Sequence, residues 1–235
     1  MQLLRNKCYK FDLQLTMKIL GPTEKDKQAT GYLDFNHDKV KQFIREYDKG
    51  GTDRERAVQF YYAVRDHFIY DPYHLDLRPG ALKASVILNK KRAWCVEKSI
   101  VLTACLRAIG IPARLGYGIV INHIGVERLK KILKRDEIVF HGYVQTWIDE
   151  KWVKTTPAFD KNVCRLSGVP PLKWDGESDA MMQSYVRDEK FMEYTHFYGE
   201  FQDVPVDLMN DEMKRYYPHL FDEIYDSKTF SFFHT

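Results

Sequence analysis

No stretch of this sequence approaches the roughly 18 uninterrupted apolar residues that a membrane-spanning helix needs. The opening residues, MQLLRNKCYKFDLQLTMKIL, carry Lys and Asp where a signal peptide needs an apolar run, so the chain reads as cytoplasmic. Cysteine is scarce. The four present are Cys8, Cys95, Cys105 and Cys164. No C-x-x-C pair occurs among them, which argues against a zinc ribbon or a dithiol redox motif. Without an export signal they read as reduced thiols rather than as two disulfides. Charge of one sign is lacking as well: 36 Lys and Arg against 33 Asp and Glu leave a net charge of +3. A field that weak does not suggest nucleic acid or a membrane as the main partner. There are no internal repeats, no low-complexity tract and no clear linker. No D-x-[DN]-x-[DN]-G loop for calcium occurs.

What is present is a chain of 235 residues, 44 % hydrophobic and 14 % aromatic, enough for a soluble domain with a real core. Residues 9–20 alternate loosely through Phe11, Leu13, Leu15 and Met17, which suits an edge strand. GPTEKDKQATG (21–31) reads as a polar loop and DKVKQFIREYD (38–48) as a short helix. Thr52 and Glu55 have capping-box spacing for the next helix, which Asp71-Pro72 brings to an end. ALKASVILNKKR (81–92) suggests one or two helical turns. Trp94 to Ile109 is apolar almost all round, the pattern of a buried central helix, with Gly110 just past its end and Pro112 blocking continuation. ARLGYGIVI then reads as a strand and VERLKKILKRDE as a surface helix. IVFHGYVQTWI and KWVKTT read as two strands joined by a tight turn at Asp149 and Glu150. Beyond Lys161 the pattern weakens. GVPPLKWDGESD is loop-like, and DLMNDEMKRYYPHL suggests a last helix before Pro218. The expectation is one domain over residues 1–235, with its core at about 30–165 and an irregular C-terminal wrap over 166–235.

The chemically telling pattern is a cysteine at a helix start followed by a histidine on a strand. A thiol is a nucleophile only as thiolate, and the free N–H groups at a helix N-terminus favour that anion. An imidazole within reach takes the thiol proton and returns it to the leaving amine, and a third polar group fixes the ring. Cys95 stands at the expected helix start, and His141 lies on an expected strand. Taken alone, Cys95 also fits a small buried hydrophobe, and His141 a strand histidine satisfied in the core. Cys105, in mid-helix with no base partner, is the buried control; Cys8 and Cys164 read as structural. His123 reads as a turn residue. NKKR (89–92) and LKKILKR read first as solvated faces, although the former could also depress a thiol pKa. Trp94 walls the cleft or joins the core. The Cys95 backbone N–H is the natural oxyanion donor, with Tyr70 or Asn89 as its side-chain companion.

The segment WCVEKSIVLTACLRAIGIPARLGYG resembles the nucleophile segment of the transglutaminase-like superfamily, in which a Cys at a helix start leads through R-A-x-G-I-P-A-R into a strand. HGYVQTWIDEKWVKTTPAF resembles the next block of that family, a His strand, a turn, and a Trp strand before a D-P-T-like segment. VRDHFIYDPY, PLKWDGESD and MEY are similar to a bacterial subgroup of the family, over about residues 30–207. The resemblance implies an α+β, papain-like fold, with a central nucleophile helix packed on an antiparallel β-sheet. It implies Cys95 as nucleophile and His141 as base. The family's Asp before the D-P-T proline falls here on Thr156. Either Asp160, four positions on, orients the ring, or Thr156 and a backbone carbonyl do; Asp160 is favoured. The implied reaction is acyl transfer or hydrolysis at an amide of a protein, peptide or small molecule, through an acyl-thioester, with no metal and no cofactor. The rival reading is a non-catalytic peptide-binding module, which the departure at Thr156 favours. A Cys/His metal site fails on ligand count.

Overall fold

The structure is a computed structural model, and it describes residues 21–78, 80–123, 127–182 and 192–222. The strand expected over residues 9–20 therefore lies outside the described residues. In chain order the elements are α1 (Asp38–Tyr47), α2 (Asp53–His67), β1 (Ile69–Tyr70), α3 (Ala84–Ile87), β2 (Arg92–Ala93) and α4 (Cys95–Ala108). There follow β3 (Ala113–Asn122), α5 (Glu127–Leu133), β4 (Glu137–Ile148), β5 (Lys151–Thr155), α6 (Lys161–Leu166), β6 (Met192–Phe201), α7 (Val206–Tyr216) and α8 (His219–Asp222). A single 3₁₀ turn, Glu24–Lys27, interrupts the polar loop near the start.

The fold is α+β and papain-like. β5, β4, β3 and β6 form one antiparallel sheet in that order, and β1 and β2 make a small parallel pair. The local chemistry is legible. Glu55 accepts from the Thr52 N–H while Thr52 Oγ1 accepts from the Glu55 N–H, closing the capping box that opens α2. Asp149 and Glu150 both take positive φ, 48° and 60°, which a two-residue hairpin turn between twisted strands demands. Gly110 ends α4 at φ 86°.

Helix α4 is the hub. Thirteen of its residues, Cys95 through Arg107, are buried. Its two buried cations serve as ties. Lys98 donates to the carbonyls of Arg65 (2.9 Å) and Ala158 (2.7 Å), joining the end of α2 and the segment after β5 to the helix. Arg107 donates to the carbonyls of Ala113 and Gln28. Burial drives the Lys98 ammonium down to about 7, against the pull of Asp160 and Asp66.

One feature departs from the sequence reading. β6 pairs with β3 along nearly its whole length, so part of the expected C-terminal wrap is an edge strand of the central sheet. The helix expected near the end is α7, amphipathic, burying Val206, Met209 and Met213.

The start of α4 touches the sheet at Gly142. A Cβ there would come within 2.9 Å of the Val96 Cα and 3.1 Å of the Cys95 carbonyl oxygen, neither of which can swing aside. Gly142→Ala is therefore expected to lower stability by about 1–3 kcal/mol, the range for overpacking a close contact. Urea unfolding of the two proteins checks this, and an unchanged midpoint contradicts it.

Candidate active site

The site begins with a register. In β4 the even residues address β5, as the pair Val144↔Thr155 shows. Continued by one step, that ladder sets Pro157 opposite Gly142. Proline has no N–H and ends the pairing, so the edge groups of β4 before Val144 lack a strand partner. The Cys95 thiol occupies that vacancy. Its Sγ donates to the Phe140 carbonyl at 3.7 Å. The Gly142 N–H interacts with the same sulfur.

The helix start is arranged to leave donors free. Trp94 is the N-cap residue and its side chain makes no cap hydrogen bond. The N–H groups of Val96 and Cys95 therefore remain to act on the sulfur, and the Tyr70 hydroxyl approaches it as a side-chain partner. The thiol is nonetheless 2 % exposed. Burial dominates and pushes it up to about 11, although the Gly142 and Val96 amides and Tyr70 act to lower it. In this closed arrangement Cys95 is a neutral thiol.

His141 sits across from Gly118 at a bulge in β4, where Phe140 takes φ 60° and the register shifts. Its Nδ1 lies 2.8 Å from the Tyr194 hydroxyl. The Nε2 is buried and has no hydrogen-bond partner, so no bond joins it to Cys95 among the described residues. Burial alone depresses the imidazole to about 4. Thiol and imidazole are therefore neighbours along β4, both uncharged, and a thiolate–imidazolium pair is not the resting state.

Asp160, the favoured third residue, has its oxygens engaged elsewhere. Oδ1 caps α6 by accepting from the N–H groups of Asn162 (2.8 Å) and Val163 (3.2 Å). Oδ2 accepts from the Tyr70 N–H at 2.7 Å. The carboxylate thus positions Tyr70 beside the thiol instead of hydrogen-bonding to His141. Thr156 lies beside the Tyr194 hydroxyl and favours its phenolate, while burial pushes that phenol far up. The ring partner of His141 is therefore a phenol, and Thr156 faces that phenol.

Other sequence candidates fall away from this cluster. Asn89 donates to the Ser85 carbonyl one turn back, and the exposed His123 faces Glu193 at 3.2 Å. In NKKR, Lys90 pairs with the buried Glu97 and Arg92 with Asp71, so neither charge is spare for the thiol. Trp94 does wall a cavity at the site, together with Tyr70 and Cys95. Cys105 and Cys164 are buried free thiols. Tyr194 and Gly142 are the residues that sequence reasoning missed. The MEY triplet contained Tyr194, but nothing local to it announces a histidine partner. No group of three or more His, Cys, Asp or Glu among the described residues is arranged to hold a metal ion. No described helix is long and apolar enough to cross a membrane.

A buried cysteine at a helix start, docked on a strand that carries a histidine, is the layout of a papain-like thiol-enzyme core. Residues 41–157 match the model of the transglutaminase-like superfamily, and this core of the chain belongs to that superfamily. Among solved structures, a presumed cysteine protease from Cytophaga hutchinsonii is similar at 14 % identity and a TM-score of 0.44. That match covers 56 % of this chain and 40 % of the other, and a likeness so slight carries no argument about function. A search of curated proteins finds no significant match.

The depressed imidazole makes stability depend on pH. His141 binds its proton less readily folded, at about 4, than unfolded, at about 6.5. Its contribution is complete above about pH 6.5 and is lost as pH falls towards 4, at up to roughly 1.4 kcal/mol per pH unit. Urea unfolding at pH 7 and pH 5 is expected to show a smaller loss in His141→Gln than in the unaltered protein. An equal loss in both contradicts the buried neutral ring.

Proposed function

We propose that this protein is a cysteine-dependent acyltransferase or hydrolase acting at an amide carbonyl of a protein, peptide or small molecule. The observation that carries this reading is the convergence of the Cys95, Val96 and Gly142 N–H groups and the Tyr70 hydroxyl on one sulfur. Those donors serve a developing anion. The neutral thiol and neutral imidazole define the starting state. As Cys95 Sγ attacks, its proton passes to His141 Nε2, the S–C bond forms, and the carbonyl oxygen gains the charge. Collapse breaks the C–N bond, and the His141 proton leaves with the amine. Water or a second amine then resolves the thioester, giving hydrolysis or transamidation.

His141 is the base in this reading, with Tyr194 holding its Nδ1 in place of a carboxylate. Asp160 completes the constellation through Tyr70, whose N–H it fixes. Reaction requires the His141 ring to reach the sulfur, a displacement of the kind that apo sites commonly undergo when substrate arrives. The rival reading, a binding module without turnover, is favoured by one observation. The ring and thiol are not hydrogen-bonded, and each is held in its neutral form.

The two readings part on incubation with p-nitrophenyl acetate followed by peptide mass spectrometry. The catalytic reading expects a burst of p-nitrophenol and an acetyl group on Cys95, lost in Cys95→Ala. His141→Ala is expected to slow acylation by about 10²–10⁴-fold, the usual range for a general base. Tyr194→Phe is expected to cost less than His141→Ala while shifting the pH profile. Absence of any acetyl-Cys95 sinks the catalytic reading and leaves the binding module.

A further inference from the structure

A cavity of about 40 Å³ opens beside Cys95. Its floor is Cys95, Trp94 and Tyr70, and its walls are Leu129, Ile132 and Leu133 of α5, Ile138 and Val139 of β4, and Met213 of α7. Tyr217 also borders it, but the phenol is engaged. It accepts from the Val139 N–H and donates to the Glu137 carbonyl, both at 2.8 Å. The walls are thus apolar, and the Val139 N–H and Glu137 carbonyl of the adjoining strand are already satisfied.

A charged group entering an apolar pocket of this kind would lose hydration without gaining a partner. A short, uncharged hydrocarbon group matches these walls.

We propose that this cavity is the acyl-side specificity pocket of Cys95, and that it selects donors carrying a short, uncharged aliphatic chain next to the carbonyl that is attacked. This rests on the acyl-transfer reading. At about 40 Å³ the pocket is well below the roughly 150 Å³ that accepts a benzene ring, so short aliphatic groups fit and aromatic or charged groups do not. Discrimination of about 10-fold or more against groups that do not fit is ordinary for an apolar pocket.

The test uses the full chain and three methanethiosulfonates: propyl, benzyl and sulfonatoethyl. Each transfers its thioalkyl group to a thiol and releases methanesulfinate. Rates at Cys95, read by peptide mass spectrometry, are divided by the rate of the same reagent with glutathione. The propyl reagent is expected to be favoured at least 10-fold over both others. Leu133→Trp, which fills the cavity, is expected to remove that preference. Leu133→Ala, which enlarges it, is expected to move the preference towards benzyl and serves if the tryptophan variant does not fold. Modification of Cys95 at equal normalised rates overturns the pocket while leaving acyl transfer standing. Failure of all three reagents to modify Cys95 overturns the acyl-transfer reading and the pocket with it.

Discussion

The docking of the Cys95 thiol on the bare edge of β4 is the interaction on which the site depends. The β4–β5 ladder ends at Val144↔Thr155, two residues before Pro157, which has no N–H to offer a further pair. Buried backbone groups need partners, and here a side chain supplies one where a strand would have done so. The thiol donates to the Phe140 carbonyl, and the Gly142 N–H acts on the sulfur in return. The close approach that allows this needs a glycine at position 142, since a methyl group would meet the helix backbone. Helix start, bulge and strand end meet at this one place.

The same burial that builds the site also quiets it. A thiol pushed up to about 11 and an imidazole pushed down to about 4 share no proton at neutral pH. The donors around the sulfur act against burial and are outweighed while it carries no charge. They gain strength once negative charge develops, because charge-assisted hydrogen bonds are the stronger ones. An arrangement that is inert at rest and supportive of an anion suits a nucleophile activated by its substrate. Lys98 holds the scaffold under this site by tying α2 and the Ala158 segment to α4.

Much of this was legible in the sequence, for reasons that can be named. The unbroken apolar surface of α4 required burial on all sides. Gly110 and Pro112 fixed its end, the Thr52–Glu55 spacing announced α2, and Asp149-Glu150 marked the hairpin. These are local signals, carried by neighbours along the chain. The miss at β6 has a different character. Its residues are mostly half-exposed, and it is a strand because β3 offers it an edge, which no local pattern states. The third site residue failed to be legible for the same reason. Asp160 is favoured in the sequence as the carboxylate standing four positions past Thr156, yet its oxygens cap α6 and hold Tyr70. The phenol that meets His141 comes from 53 positions further along the chain. Residues brought together only by sheet pairing leave no trace in spacing.

The most direct test is iodoacetamide alkylation followed per cysteine across pH 6–8, in the unaltered protein and in His141→Ala. If Cys95 is a nucleophile served by His141, it reacts well ahead of the equally buried Cys105, and the variant slows it at least 10-fold. If Cys95 reacts no faster than Cys105, or at the same rate in both proteins, the imidazole does not serve the thiol and the catalytic account is contradicted.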